Sequence, residues 1–235
     1  MKAKIAKKDK ERVATGIVAL DKVIGGFKEG SINLVAGNAG SGKTIMAVQF
    51  LVEGLKKGEN GIYITFEEKK EKTFADMLRF GWDLAQYEKQ NRFVFIEYTP
   101  EQIKKLITEG GGEIENLVDK TKAKRLVIDS ITSFSLLYQD ELTKKEAALS
   151  FFELIDKWNC TALLTSQMIN DECTSIGLEF EVDSIILLYH VRSKGTRKRG
   201  IEILKMRGTE TPEKVFPFKI TTQGVEVDSR STLVC

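Results

Sequence analysis

The chain has 235 residues, a length that suits one large α/β domain better than two small ones. With 42% apolar residues a real core can form, and a net charge of +2 gives no global pull toward nucleic acid or membrane. Cys160, Cys173 and Cys235 are scattered without a C-x-x-C pair, which argues against a disulfide framework or a zinc site and for a reducing compartment. No stretch has the apolar length of a membrane span, and the charged N-terminus lacks a signal region, so the expected location is cytoplasmic.

Residues 1–12 carry Lys2, Lys4, Lys7, Lys8, Lys10 and Arg12 against Asp9 and Glu11. They are expected to form a flexible basic segment ahead of one domain over 13–235. From Thr15 to Gly30 small apolar runs alternate with glycines, Gly25-Gly26 among them. Ser31–Ala36 is a short apolar run that predicts a buried strand. It leads into Gly37-Asn38-Ala39-Gly40-Ser41-Gly42-Lys43-Thr44, which fits the phosphate-binding pattern G-x-x-x-x-G-K-[ST]. Ile45, Val48, Val52 and Leu55 then recur at helical spacing, and Gly58 closes the segment. Strand, glycine turn and helix are the context that this motif requires. The loop's N–H groups can curl around phosphate oxygens, and the positive helix end faces the same anion. Lys43 can reach the β- and γ-phosphates, and Thr44 can hold Mg²⁺.

Downstream, Ile62–Phe66 predicts a strand ending in Glu67-Glu68, followed by a helix from about Lys72 to Phe80. Phe93–Ile96 predicts a strand, and Glu101–Lys120 a helix interrupted at Gly110-Gly111-Gly112. Leu126-Val127-Ile128 predicts an apolar strand ending in Asp129. Residues 144–158 predict a helix with Ala148, Phe151, Phe152, Ile155 and Trp158 on its core face. Thr161–Thr165 predicts a strand that delivers Ser166 and Gln167. Ile185–Tyr189 and Ile201–Leu204 predict a late strand pair, joined by the polar stretch Arg192–Gly200. Val215–Ile220 and Val225–Val227 complete the set. Strands alternating with helices and then strands in succession describe an α/β fold: a mostly parallel sheet with an antiparallel C-terminal edge.

Hydrolysis needs more than a phosphate loop. Asp129, at the end of an apolar strand, suits the carboxylate that holds Mg²⁺, directly or through water. A strand-end Asp that merely caps a turn is the plainer reading. Attack on the γ-phosphate needs an oriented water relieved of a proton, and a strand-end carboxylate can take it. Glu67 and Glu68 point opposite ways on an extended chain, so one of them faces the phosphate. Glu67 is the expected base, with Glu68 supporting it or facing solvent. Gln167 can hydrogen-bond the γ-phosphate or the attacking water. His190, the single histidine, is read as structural.

Several strings together resemble the KaiC-like branch of the RecA superfamily of ATPases. They are Thr15-Gly16-Ile17 with Leu20-Asp21, Gly25-Gly26, Gly37–Thr44 continuing to Gln49-Phe50, Thr65-Phe66-Glu67-Glu68, Phe80-Gly81-Trp82-Asp83-Leu84 and Val127–Ile131. Leu204-Lys205-Met206-Arg207-Gly208-Thr209 and Pro217-Phe218 complete the series. The resemblance runs from Thr15 to about Val227 and implies a RecA-like phosphate-loop core that binds ATP/ADP and Mg²⁺. It implies a homo-oligomer, a hexameric ring with ATP between subunits. The neighbour's Lys205 and Arg207 would reach the phosphates as cationic fingers, with Thr209 near the same nucleotide and Arg79 near the base. The chain departs from the two-domain clock member in having one domain. Glu179–Asp183 also lacks the hydroxyls that are phosphorylated there, which argues against autokinase activity. Thr211 stands where a hydrolytic domain of that member has histidine.

The resemblance implies a regulatory or signalling ATPase whose protein partner the sequence does not name. The alternative is a recombinase-like DNA-binding factor. Against it, the stretch Met168–Asp183 holds Asp171, Glu172, Glu179, Glu181 and Asp183 without Lys or Arg, and an acidic loop repels phosphate. The basic residues of 2–12 and Arg192, Lys194, Arg197, Lys198 and Arg199 keep that alternative open. A nucleotide-binding scaffold with negligible turnover is a third reading.

Overall fold

A computed structural model of the chain describes residues 11–135, 137–138, 140–169, 172–173, 181–193 and 195–233. Residues 1–10, most of the acidic stretch 170–180, and Lys194 and Cys235 lie outside the described residues, so the expectations placed there carry no structural account.

The described chain opens with β1 (Arg12–Val13), so Arg12 is already paired rather than part of a free basic segment. Helix α1 (Val18–Ile24) follows, and β2 (Phe27–Lys28) returns antiparallel to β1. Strand β3 (Ile32–Gly37) is buried along its whole length, which is why its sequence is a continuous apolar run instead of an alternation. Helix α2 (Lys43–Lys56) packs beneath it through Met46, Phe50 and Leu51, among others. Next come β4 (Asn60–Thr65), α3 (Lys70–Leu78), α4 (Leu84–Lys89) and β5 (Phe93–Glu97). The single long helix read at 101–120 is two helices, α5 (Pro100–Thr108) and α6 (Gly112–Thr121). Gly111 takes a φ of 69° and donates to the Leu106 carbonyl, which ends the first helix and starts the second.

Strand β6 (Ala123–Asp129), the short α7 (Ile131–Ser135), α8 (Glu141–Lys157), β7 (Thr161–Ile169) and β8 (Glu172–Cys173) complete the α/β run. The last strands are β9 (Ser184–Ser193), β10 (Thr196–Met206), β11 (Phe216–Thr221) and β12 (Gly224–Val227). The stretch Arg192–Gly200, expected as a connection, instead lies mostly within β9 and β10. These strands pair from Thr196↔Ser193 to Met206↔Ser184, so backbone pairing continues past the end of the apolar pattern. Strand propensity was masked there by charge on a solvated sheet margin.

The sheet runs β12-β11-β10-β9-β3-β7-β6-β4-β5, with β8 pairing to the end of β7. From β9 to β5 every neighbouring pair is parallel, and β10, β11 and β12 are antiparallel, as an α/β fold of the RecA type requires. Alternate residues serve two cores. Leu34, Ala36, Ile62, Ile64, Leu126, Ile128 and Leu164 face α5, α6, α7 and α8. Val35, Tyr63, Val127, Leu163 and Ile186 face α1, α2, α3 and α4. The α1, α4 and α7 helices were not expected; α4 owes its start to Asp83, whose carboxylate accepts from the Gln86 N–H at 3.0 Å.

Arg125 on β6 is only 1% exposed and lies between α2 and the sheet. Its Nη1 donates to the Ala14 and Phe50 carbonyls, each at 2.7 Å, and its Nε lies 2.5 Å from Glu59 Oε2. The guanidinium also sits over the Phe50 ring, 4.6 Å from its centroid. A Cβ on Gly54 would run into Arg125 Nε, so glycine is required where α2 passes over this charge. Arg125→Ala removes donors from two carbonyls and leaves a void, and is expected to destabilise the fold by about 2–4 kcal/mol. Urea unfolding measures this; an unchanged midpoint would show that the clamp contributes nothing.

Candidate functional site

The parallel strands end at one edge of the sheet, and the loop Gly37–Thr44 leaves β3 there to enter α2. The start of this loop is tightly confined. A Cβ on Gly37 would lie 2.5 Å from the Leu188 carbonyl oxygen of β9 and 2.6 Å from Ser41 Oγ. Gly42 opens α2 with a φ of 104°, a backbone that side chains other than glycine rarely take. The Lys43 ammonium donates to the loop's own carbonyls, Gly37 O at 2.8 Å and Asn38 O at 3.1 Å. Burial lowers its pKa, while the nearby charges of Asp129 and Glu67 raise it.

Asp129 ends β6 two strands away, with β7 between. It is 8% exposed and its carboxylate is held by three hydroxyls. Thr44 Oγ1 at 2.8 Å and the Tyr63 hydroxyl at 2.7 Å donate to Oδ2, and Thr165 Oγ1 donates to Oδ1. Sheet register explains the convergence. Tyr63 pairs with Val127, two residues before Asp129 and on the same face, and Leu163 likewise precedes Thr165. Burial, then the Asp129 charge and hydrogen bond, raise the Tyr63 pKa well above its ordinary value.

The two glutamates after β4 diverge. Glu67 turns toward Asp129's strand end, where its Oε1 accepts from Ser130 Oγ at 3.0 Å and from Ser133 Oγ. Glu68 turns toward α3, within 3.4 Å of Lys72 Nζ and Thr73 Oγ1. Lys43, Thr44, Asp129 and Glu67 are therefore brought together, and Glu68 is not. Gln167 pairs in register with Gly37, and its N–H donates to Thr132 Oγ1 at 2.8 Å, so it too lies at this edge.

Other expected residues lie elsewhere. Lys205 is the penultimate residue of β10, and Met206, its last, pairs with Ser184, which pairs with Asn33 at the start of β3. Four residues of β3, roughly 13 Å of rise, separate that level from Gly37. Lys205, Arg207 and Thr209 are thus at the opposite end of the sheet from their own chain's phosphate loop. The 207–209 turn is tied down there. Lys28 Nζ donates to the Arg207 carbonyl, and Arg12 Nη2 donates to Thr209 Oγ1 at 2.9 Å. Arg207 Nη1 lies 4.0 Å from Asp183 Oδ1. Arg79 is exposed at the end of α3, and among the described residues no hydrogen bond or ion pair joins its side chain to the loop. Its successors Phe80, Gly81 and Trp82 line a cavity of about 1010 Å³ with Gln49 and Gln223, and no residue of Gly37–Thr44 lines it.

Two further residues lie by the loop: His190, read from the sequence as structural, and Arg199, read only as one of the basic residues of the Arg192–Arg199 stretch. Arg199 reaches the Gly40 carbonyl with Nη2 at 3.2 Å and Nε at 3.4 Å. His190, its cross-strand partner, packs its ring beside Gly40, where a Cβ would lie 3.4 Å from Nδ1. Their signal is positional: His190 is two residues beyond Leu188, the partner of Gly37 in register.

The residues present fit a magnesium nucleotide. Asn38 Oδ1 and Ser41 Oγ, both in the loop, are buried side-chain atoms without a hydrogen-bond partner among the described residues, as expected where a polar ligand completes the bonding. A hydroxyl (Thr44) next to a buried carboxylate (Asp129) is the oxygen donor set that Mg²⁺ takes. No helix among the described residues is long and apolar enough to cross a membrane.

Comparison with known proteins agrees with this geometry. The family described as "ATPase: KaiC" matches residues 13–232. The chain is 35% identical over 221 residues to the circadian clock protein KaiC3 of Synechocystis sp., covering 89% of this chain but 44% of that protein, so it spans less than half of that relative. It is 34% identical to a UPF0273 protein of Thermotoga maritima, covering 92% of this chain and 96% of that one. The solved structure of a KaiC-like protein from Pyrococcus horikoshii OT3 superposes with a TM-score of 0.83 at 32% identity, covering 92% of this chain and 98% of that one. The chain belongs to the KaiC family of RecA-superfamily ATPases.

Proposed function

We propose that this protein hydrolyses ATP with Mg²⁺, at sites that a second copy of the chain completes, and that residues 13–235 act as one ATPase domain. The observation that carries the reading is the meeting of Lys43, Thr44, Asp129 and Glu67 at one sheet edge, drawn from α2, β6 and the end of β4. The loop's N–H groups and Lys43 bind the β- and γ-phosphates. Thr44 and Asp129 would hold Mg²⁺, which when bound would supply neutralisation of phosphate charge. Glu67 orients a water and takes its proton as the water oxygen bonds to the γ-phosphorus. The bond to the β–γ bridging oxygen breaks, and ADP departs with its electron pair. Ser130 and Ser133 hold Glu67 in place by donating to Oε1.

Lys205, Arg207 and Thr209 serve a neighbouring copy, because their own phosphate loop is at the other end of the sheet. Such contacts are heterologous, and a rotation that closes them gives a ring, for which six copies is the family expectation. The Synechocystis relative is named a circadian clock protein, which favours a regulatory use of the ATP; a protein partner and a cytoplasmic setting belong to the same proposal.

Glu67→Gln is expected to keep ATP binding and lower turnover by about 10²–10⁴-fold. A steady-state phosphate-release assay with a fluorescent-nucleotide titration reads both; turnover at the wild-type rate would remove Glu67 as the base. Single-stranded DNA in the same assay is expected to leave the rate unchanged, and a strong stimulation would favour the DNA-binding alternative. Arg207→Ala and Glu67→Gln, each inactive alone, are expected to complement when mixed, recovering about a quarter of wild-type turnover by random heterologous pairing. No recovery, with co-assembly shown by light scattering, would place Arg207's role within its own chain.

A further inference from the structure

We infer that Tyr63 is a positioning residue for the metal-binding carboxylate, fixing Asp129 Oδ2 from the side opposite the phosphate loop. The inference rests on the reading that Asp129 serves Mg²⁺ together with Thr44.

Two hydroxyls donate to Asp129 Oδ2, and they are not equivalent. Thr44 Oγ1, at 2.8 Å, belongs to the loop and is itself the oxygen expected to meet the metal ion. The Tyr63 hydroxyl, at 2.7 Å, belongs to the strand next to β6 and lies wholly within the core. Its aim is set by packing. The Tyr63 ring stacks on Phe95 with centroids 5.0 Å apart and planes 10° from parallel. Phe95 in turn meets Phe74 of α3 edge-on, at 5.5 Å and 86°. A ring held in this way leaves the hydroxyl only rotation about its own C–O bond. Thr165 completes the hold from the other flanking strand by donating to Oδ1. Asp129 is thus held by β4 on one side and β7 on the other, and by Thr44 from the loop.

A phenylalanine would fill the same space between Phe95 and the core. The hydroxyl has to be desolvated to be there, and what it gains is a bond to this carboxylate. Groups that orient a metal-binding side chain commonly change metal affinity by 10–100-fold when removed.

The test is direct metal binding, with no turnover required. Mn²⁺ is titrated into wild type, Tyr63→Phe and Thr165→Val, each loaded with a non-hydrolysable ATP analogue, and followed by electron paramagnetic resonance. Tyr63→Phe is expected to weaken Mn²⁺ about tenfold while affinity for the analogue without metal stays at the wild-type value. Thr165→Val, which removes the donor to the other oxygen at equal shape, is expected to weaken Mn²⁺ as well; where Tyr63→Phe does not fold, wild-type Mn²⁺ affinity in Thr165→Val would show that buried hydroxyls on this carboxylate do not position the metal site and overturns the inference. Wild-type Mn²⁺ affinity in a folded Tyr63→Phe overturns the inference. Asp129→Asn separates the two levels: if it too binds Mn²⁺ as wild type does, the metal role of Asp129 fails and this inference fails with it. Loss of Mn²⁺ in Asp129→Asn with none in Tyr63→Phe overturns the inference alone.

Discussion

Strands covered by helices on both faces leave little room for charge except at their ends, and the chemistry of this protein is arranged around that constraint. The parallel strands from β9 to β5 bury alternate residues against α1–α4 and α5–α8, so their middles are apolar almost throughout. Polar groups that do enter are bonded. Arg125 meets Glu59 and two carbonyls, and Asp129 meets three hydroxyls. Asp129 can sit at 8% exposure because Tyr63, Thr165 and Thr44 replace the water it gave up. Two neighbouring strands and α2 thus converge on one carboxylate, and the loop inherits its place from that arrangement.

Helix α2 is tied at both ends. Its first turn carries Lys43 and Thr44 beside the carboxylate, and further along the Phe50 carbonyl and the Gly54 gap seat it on Arg125. The same guanidinium grips the Ala14 carbonyl, so the segment before α1 is fastened to the sheet through one buried cation. The phosphate loop is therefore carried on a helix fastened to the sheet at two places.

Much of this was legible in the residues. The glycine pattern at 37–44, with an apolar run before it and helical spacing after it, fixed strand, loop and helix together. The apolar run before Asp129 placed that carboxylate at a strand end, and the adjacency of Glu67 and Glu68 implied that they diverge, which they do. What stayed hidden has physical reasons. Arg125 looks like a surface charge in sequence, because nothing local reveals that Glu59 and two carbonyls await it. Strands β9 and β10 continue into basic residues whose pairing is backbone-driven, so hydrophobic pattern ended them too soon and hid His190 and Arg199 beside Gly40. Tyr63 was not singled out within the strand Ile62–Phe66, since its partner depends on register between β4 and β6.

The separation of Gly37 from the turn at 207–209 by the height of the sheet has a counting consequence. On the trans reading, one copy in isolation owns two unmatched halves of a site, and they cannot meet. On the trans reading, an open string of n copies holds n − 1 whole sites and always wastes one loop and one finger turn at its ends. Only closure makes the numbers equal. Activity per chain would then rise with concentration before it levels off, so the amount of protein present, as well as the amount of ATP, would set the rate.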